Sequence, residues 1–255
     1  MTAPATIDVS GTDKIPFPRL VAVEMRKMGD TRAGKWLLIA ILVITALVVG
    51  LILAFAPENV KNFEGFLGAS ATPQGFLLPV LGVLLVTSEW GQRAALNTFT
   101  LVPHREKIIG AKVIAAVLLG LAAIVVAIAV AAVAALVAGN DNVWGAYGVG
   151  DTGKFALLQT LGILQGLAFG MLLLNSAAAI VAYFVLPIAF NIVTSIIAGL
   201  RDVQPWIDPG TAQTPLFGGS ALTGEEWAQL ATTTLIWIVL PGVVGAWRVM
   251  RSEVK

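Results

Sequence analysis

Long apolar runs, rather than the alternation typical of strands, dominate this chain. Six of them contain no Asp, Glu, Lys or Arg: Trp36–Ala56, Ala69–Ser88, Val113–Ala138, Phe155–Leu174, Ala177–Gly199 and Ala228–Trp247. A hydrocarbon layer of about 30 Å takes about 20 helical residues to cross. Each run meets that length, so six membrane-spanning helices are expected. Only Asn175 and Ser176 part the fourth run from the fifth, which predicts a tight helical hairpin or one long broken helix.

Composition supports this pattern. Hydrophobic residues make up 57% of the chain and charged ones 12%, against about 25% charged in a soluble domain. That is too little charge to cover a water-facing surface, so the expected class is an all-α membrane protein. The net charge of +1 says nothing about nucleic acid, and with no basic block or aromatic platform no nucleic-acid partner is expected. With no cysteine, disulfides and thiolate metal sites are excluded, and no metal site or cofactor is expected in this chain.

Orientation follows from the cations. The N-terminal tail, the loop after the second run and the C-terminus together hold 13 of the 16 Lys and Arg. Only Lys61, Lys154 and Arg201 fall on the other side, so both termini are expected in the cytoplasm. The first run is longer than the roughly 7–15 residues of a signal-peptide core and follows a long charged tail, so it is expected to stay as an anchor. The chain then divides into a cytoplasmic tail, 1–35, and a six-span domain, 36–255. Within the domain lie a cytoplasmic loop at 89–112 and an external loop at 200–227.

Candidate chemistry inside the spans is sparse. YGVGDTGKF, Tyr147 to Phe155, nearly spells a phosphate-binding loop. However, Phe155 stands where a magnesium-binding Ser or Thr belongs, and no strand is expected before the glycines. It reads as a Gly-rich turn ahead of a helix. The only histidine, His104, falls in a loop, so an intramembrane hydrolase would lack its base. Thr45, Gln159, Gln165, Asn191, Thr194 and Ser195 are the main polar residues within the runs, and all are neutral. Gln165, Asn191 and Thr194 are candidates for a translocation path. Asn191, one turn beyond Pro187, has the alternative of bonding a carbonyl that the proline frees. Gly162, Gly166 and Gly170 recur every fourth residue, which suits close helix packing or a substrate groove. Pro79, Pro187 and Pro241 predict bends.

The cytoplasmic face carries more pattern. In RLVAVEMRKMGDTR, Arg19 to Arg32, a helix would place Val21, Met25 and Met28 on one side, with Glu24, Arg26, Lys27 and Arg32 elsewhere. Pro18 suits the first helical position. This predicts an amphipathic helix on the membrane surface, its cations near anionic lipid headgroups; a plain basic anchor is the alternative. In the loop Ser88–Lys112, Glu89 directly follows an apolar run, where an acid gains little unless paired. Ala95, Phe99 and Val102 share one side of a short helix ended by Pro103. Such a helix is either a docking surface for a soluble partner or a simple surface turn.

Glu89, Trp90, Thr98, Pro103, Arg105 and Lys112 resemble the pattern E-[YWF]…T…P-x-R…K of type-2 ATP-binding-cassette exporter permeases. Glu24, Lys27 and Arg32 resemble the E-x-x-K…R approach to their first span. The ending LPGVVGAWRVMRSEVK is similar to actinobacterial members, although Ala94-Ala95-Leu96 replaces the usual G-T-[IL]. The resemblance implies a multi-pass subunit of the bacterial plasma membrane, itself not an enzyme, whose energy comes from ATP and Mg on two copies of a separate cytoplasmic ATPase. That partner would dock on the loop between the second and third spans, through a coupling helix containing Thr98 and Phe99. Two permease copies, or a pair of sister subunits, would enclose a path lined mainly by the second and fifth spans. Glu89 and Arg105 would transmit movement by ionic contacts, and Lys112 would anchor the start of the third span. The external loop would form short re-entrant helices, with Thr223 and Glu226 capping the sixth span. An ATP-independent channel or carrier, and a non-transporting scaffold or immunity protein, are the rival readings. The uncharged spans suit an apolar or amphipathic substrate.

Overall fold

The computed structural model describes residues 15–91 and 104–252, and every regular element among them is helical, with no strand. A short first helix, α1 (Phe17–Asp30), leads into α2 (Arg32–Phe55), α3 (Phe63–Gly91) and α4 (Arg105–Ala138). After α5 (Val149–Leu173) and α6 (Ser176–Ile196) come two short helices, α7 (Gln204–Ile207) and α8 (Pro209–Gln213). The last span joins α9 (Gly224–Thr234) to α10 (Leu240–Arg251) through a π turn, Leu235–Val239. Among the described residues, six helices are long and apolar enough to cross a membrane, which fits a multi-pass membrane protein.

The helices outrun the apolar stretches. α4 begins at Arg105 rather than Val113, so Lys112 lies two turns inside the helix and not at its start. Pro18 occupies the second helical position, one later than expected, still within the turn where its missing N–H needs no partner. The fourth and fifth runs form a tight hairpin. Leu174 takes a left-handed backbone (φ 53°), and the Asn175 side chain accepts the Ala178 N–H at 3.0 Å to start α6. Phe169 packs with Ala179, and Gly162 lies near Tyr183, so α5 and α6 run antiparallel.

Among the bends expected at proline, Pro241 has a visible consequence. It removes the N–H that would reach the Trp237 carbonyl, and Trp237 lies within the π turn directly before it. The Asn191 amide does not serve a carbonyl freed by Pro187; it donates to Asp208 Oδ2 at 2.9 Å. The α7–α8 segment is thereby tied to α6. It is tied to the last span too, because Trp237 Nε1 donates to the Ile207 carbonyl at 2.8 Å. The capping box of Thr223 and Glu226 is present.

α3 and α5 form the centre, running parallel with Gly75 beside Gln159 and Val83 beside Gly170. Glycine lets their backbones touch. A Cβ on Gly166 would stand 2.7 Å from the Pro79 carbonyl carbon, and one on Gly82 would stand 2.9 Å from the Leu167 nitrogen. Gly170 is nearly as tight, 3.0 Å from the Val83 oxygen. Gly162 departs from this pattern. Its added Cβ would find ordinary contacts, the nearest Pro79 Cγ at 3.5 Å, because the helices have begun to separate there. Further along the pair, Gln159 Nε2 donates to Gln74 Oε1 (3.1 Å), and Gln74 Nε2 donates to the Ala123 carbonyl of α4 (3.0 Å). Two buried amides are satisfied inside the bundle this way.

The near phosphate-binding loop is the first turn of α5. Asp151 Oδ2 accepts the Gly148 N–H (2.9 Å), and Asp151 Oδ1 pairs with Lys154 at 2.7 Å. Lys154 also donates to the carbonyls of Gly218 and Ser220. Its ammonium thus pins the 200–227 loop onto α5. Exposed tryptophans mark both ends of the bundle: Trp36 and Trp247 at one, Trp144 and Trp227 at the other. Such rings favour the two membrane–water interfaces.

Candidate functional site

The end of the bundle that holds α1 gathers most of the residues singled out above. α1 packs Leu20, Val21 and Met28 against Leu81, Leu85 and Ala111. Glu24 is one turn after Leu20 and one before Met28, so it belongs to this buried stripe rather than to another face. Its exposure is 3%. α3 ends in Glu89 and α4 brings Lys112, which are 6% and 5% exposed.

Together with Lys27 these residues close a ring. Lys112 Nζ lies 2.6 Å from Glu24 Oε2 and 3.1 Å from Glu89 Oε1. Lys27 Nζ lies 2.6 Å from Glu24 Oε1 and 2.5 Å from Glu89 Oε1. Each acid touches each base, and the four formal charges cancel. Lys112 also donates to the Leu85 carbonyl at 2.9 Å. Burial alone would lower the pKa of Lys27, but the Glu24 and Glu89 carboxylates more than offset it and hold it above the ordinary lysine value. A buried charge survives only when paired and hydrogen-bonded, and this ring supplies both.

Arg105 works differently. Its described partners are carbonyl oxygens at the C-terminus of α10: Val249 (3.1 Å), Met250 (3.0 Å) and Ser252 (3.0 Å). A cation there satisfies carbonyls left without helical partners and faces the negative end of the helix dipole. Arg248 does the same for α5 by donating to the Leu172 carbonyl at 2.5 Å, and sequence reasoning had treated it only as one more cation. Thr87 and Ser176 hydroxyls, 2.7 Å apart, join α3 to the start of α6. Five spans and α1 are thus linked around the two stems of the Ser88–Lys112 loop.

Other candidates separate from this assembly. Arg32 is exposed at the first position of α2. Thr98, Phe99 and Pro103 lie outside the described residues, as do Ala95 and Val102 of the expected coupling helix. Gln165 is 4% exposed and borders a cleft with Phe76, Tyr183 and Pro187, between the second and fifth spans. Asn191 and Thr194 do not border that cleft. Thr194 returns its hydroxyl to the Phe190 and Asn191 carbonyls of its own helix, and Asn191 holds Asp208.

Several structural residues went unread in the sequence. Gly82 had a signal, since Gly68, Gly75 and Gly82 recur every seventh residue and so share a helix face. Asp208 is fully buried and starts α8 by accepting the Thr211 N–H at 2.8 Å. An Asp before Pro-Gly in a loop gives little warning of burial.

No protein-family model matches this chain, and no curated protein matches it significantly.

Proposed function

We infer that this chain is the membrane-spanning permease subunit of an ATP-driven exporter, paired with a second permease and driven by a separate cytoplasmic ATPase. The supporting observation is the closed Glu24–Lys27–Glu89–Lys112 ring. The residues that resemble the family's N-terminal and loop patterns lie far apart in sequence, yet four of them meet at one end of the bundle. A load applied to the Ser88–Lys112 loop would reach α1, α3 and α4 together, and Arg105 would carry it into α10. On this reading that end faces the cytoplasm of a bacterial cell, in keeping with the cation bias. ATP and Mg belong to the partner. α6 exposes Val181, Val185, Ile188 and Ile192 along one side, a face suited to lipid or to a second copy. The cleft between the second and fifth spans has the place expected for part of the path of an apolar or amphipathic substrate.

The test is co-purification of the chain with an ATPase, followed by transport in vesicles. Glu89→Ala and Arg105→Ala should insert normally yet uncouple ATP hydrolysis from transport; wild-type coupling in both would discard their assigned roles. Because the chain has no cysteine, His104→Cys supplies a single thiol for labelling from either side of the membrane. Labelling from outside, or gradient-driven flux by the purified chain alone, would refute the reading.

A further inference from the structure

Beyond the tight part of the α3–α5 contact lie two adjoining clefts of about 310 Å³ and about 290 Å³, which share Gly75, Phe76, Tyr183 and Gln213. Among the described residues, no Asp, Glu, Lys, Arg or His lines either one. Their polar groups are carboxamides and hydroxyls: Gln159, Gln165, Gln213, Thr72 and Tyr183. Phe76 and Phe184 stack with ring centres 5.6 Å apart and give the groove a flat wall.

Two details distinguish this groove from a simple packing fault. Gln165 is 4% exposed and makes no side-chain hydrogen bond to any described residue, yet its amide atoms are not sealed off, so they open onto the groove and can take a partner from outside the chain. Gln159 uses Nε2 on Gln74, and its Oε1 is left beside Gly75, where an added Cβ would lie 4.0 Å away. The missing side chain at Gly75 keeps that oxygen within reach of the groove.

We propose that the groove binds an uncharged molecule carrying both hydrogen-bond donors and acceptors beside a flat apolar face, and that it rejects charged amphiphiles. A carboxamide donates and accepts but cannot neutralise a charge. An ion entering here would lose its hydration with no counter-charge to replace it. A purely apolar guest would leave Gln165 unpartnered. This assignment rests on the exporter reading only in making the guest the cargo; the binding itself needs no ATPase.

Three dansyl probes test it, with one shared ring system and different charge: dansyl amide (neutral), dansyl cadaverine (cationic) and dansyl glycine (anionic). The full chain in phosphatidylcholine nanodiscs is titrated by fluorescence anisotropy against empty nanodiscs. Dansyl amide should bind saturably, at least about tenfold more tightly than either charged probe. Gly75→Leu should weaken it by about tenfold or more without lowering the unfolding temperature, since its Cβ has room. Gln165→Leu, or Gln213→Leu should the glycine variant fail to fold, should weaken it about fivefold. Equal or tighter binding of a charged probe would overturn the proposal. So would neutral binding no different from that of empty nanodiscs, or unchanged in these variants. Failure to capture an ATPase would strike the exporter reading and leave these binding results standing.

Discussion

One helix pair, α3 and α5, uses glycine in two opposite ways. In the half nearer Glu89, the opposing backbone stands where a Cβ on Gly82 or Gly166 would go and crowds one on Gly170. In the other half, Gly75 and Gly162 border open space and the helices part around a groove. The tight half adjoins the buried charged ring. The open half adjoins a loop segment fixed by Lys154, Asn191 and Trp237. Backbone contact and a closed ring of buried charge over-determine one end, while side-chain hydrogen bonds and the packing of Leu216 against Leu161 and Leu230 hold the loop segment at the other. The same residue type marks a rigid seam in one place and an adaptable cleft in the next, and only its neighbours decide which.

Substitutions can break that contrast. Gly166→Leu should have the largest effect, since its Cβ alone overlaps the Pro79 backbone. Overpacking of this kind costs about 3 kcal/mol or more, and the purified variant should elute as aggregate in detergent size exclusion. A monodisperse, heat-stable variant would show that the seam is not closed. Lys112→Met comes next. It leaves Glu24 and Glu89 sharing Lys27 alone, and breaking a buried pair costs about 3–5 kcal/mol. The unfolding temperature should fall, and adding Glu24→Gln should restore part of it by returning the remaining charges to balance. No recovery in the double variant would show that the ring does not act as a unit.

A smaller effect should follow pH. Lys27 has its pKa raised from 10.5 in the folded chain, so its contribution is fully present below about pH 10.5 and fades as pH climbs through the folded value. Thermal stability should therefore hold from pH 8 to 10 on this account and fall above about 10.5. Lys27→Met should flatten that fall, and an unaltered alkaline profile would remove Lys27 from the ring's energetics. Gly75→Ala should change least, within about 0.5 kcal/mol, because the added methyl group enters the groove. A loss as large as that of Gly166→Leu would mean that the two halves are packed alike.

Six spanning helices were legible in the sequence because the property that makes them is local: about 20 apolar residues in line cannot stay in water, whatever else the chain does. The Thr223–Glu226 box was legible for the same reason, since its two partners lie three residues apart. Helix ends were less so. α4 extends back to Arg105, which bonds the carbonyl end of α10, and encloses Lys112, which pairs with acids from α1 and α3; none of those partners lies in its own neighbourhood. Glu24 was assigned to the wrong face for a related reason: its spacing from Leu20 and Met28 puts it on the buried stripe, but its charge reads as solvent-facing until a buried partner is known.

By itself, then, the amino-acid order determined the all-helical class, the six long apolar helices and which connecting segments carry the cations, because hydropathy and charge act residue by residue. The tertiary structure alone decided that Glu24, Lys27, Glu89 and Lys112 form one ring, that Gly166 is sealed while Gly75 is open, and that Asn191 holds Asp208. Those outcomes depend on pairing between residues as many as 88 positions apart. Distance and burial set their energies, and neither is defined until the helices have packed.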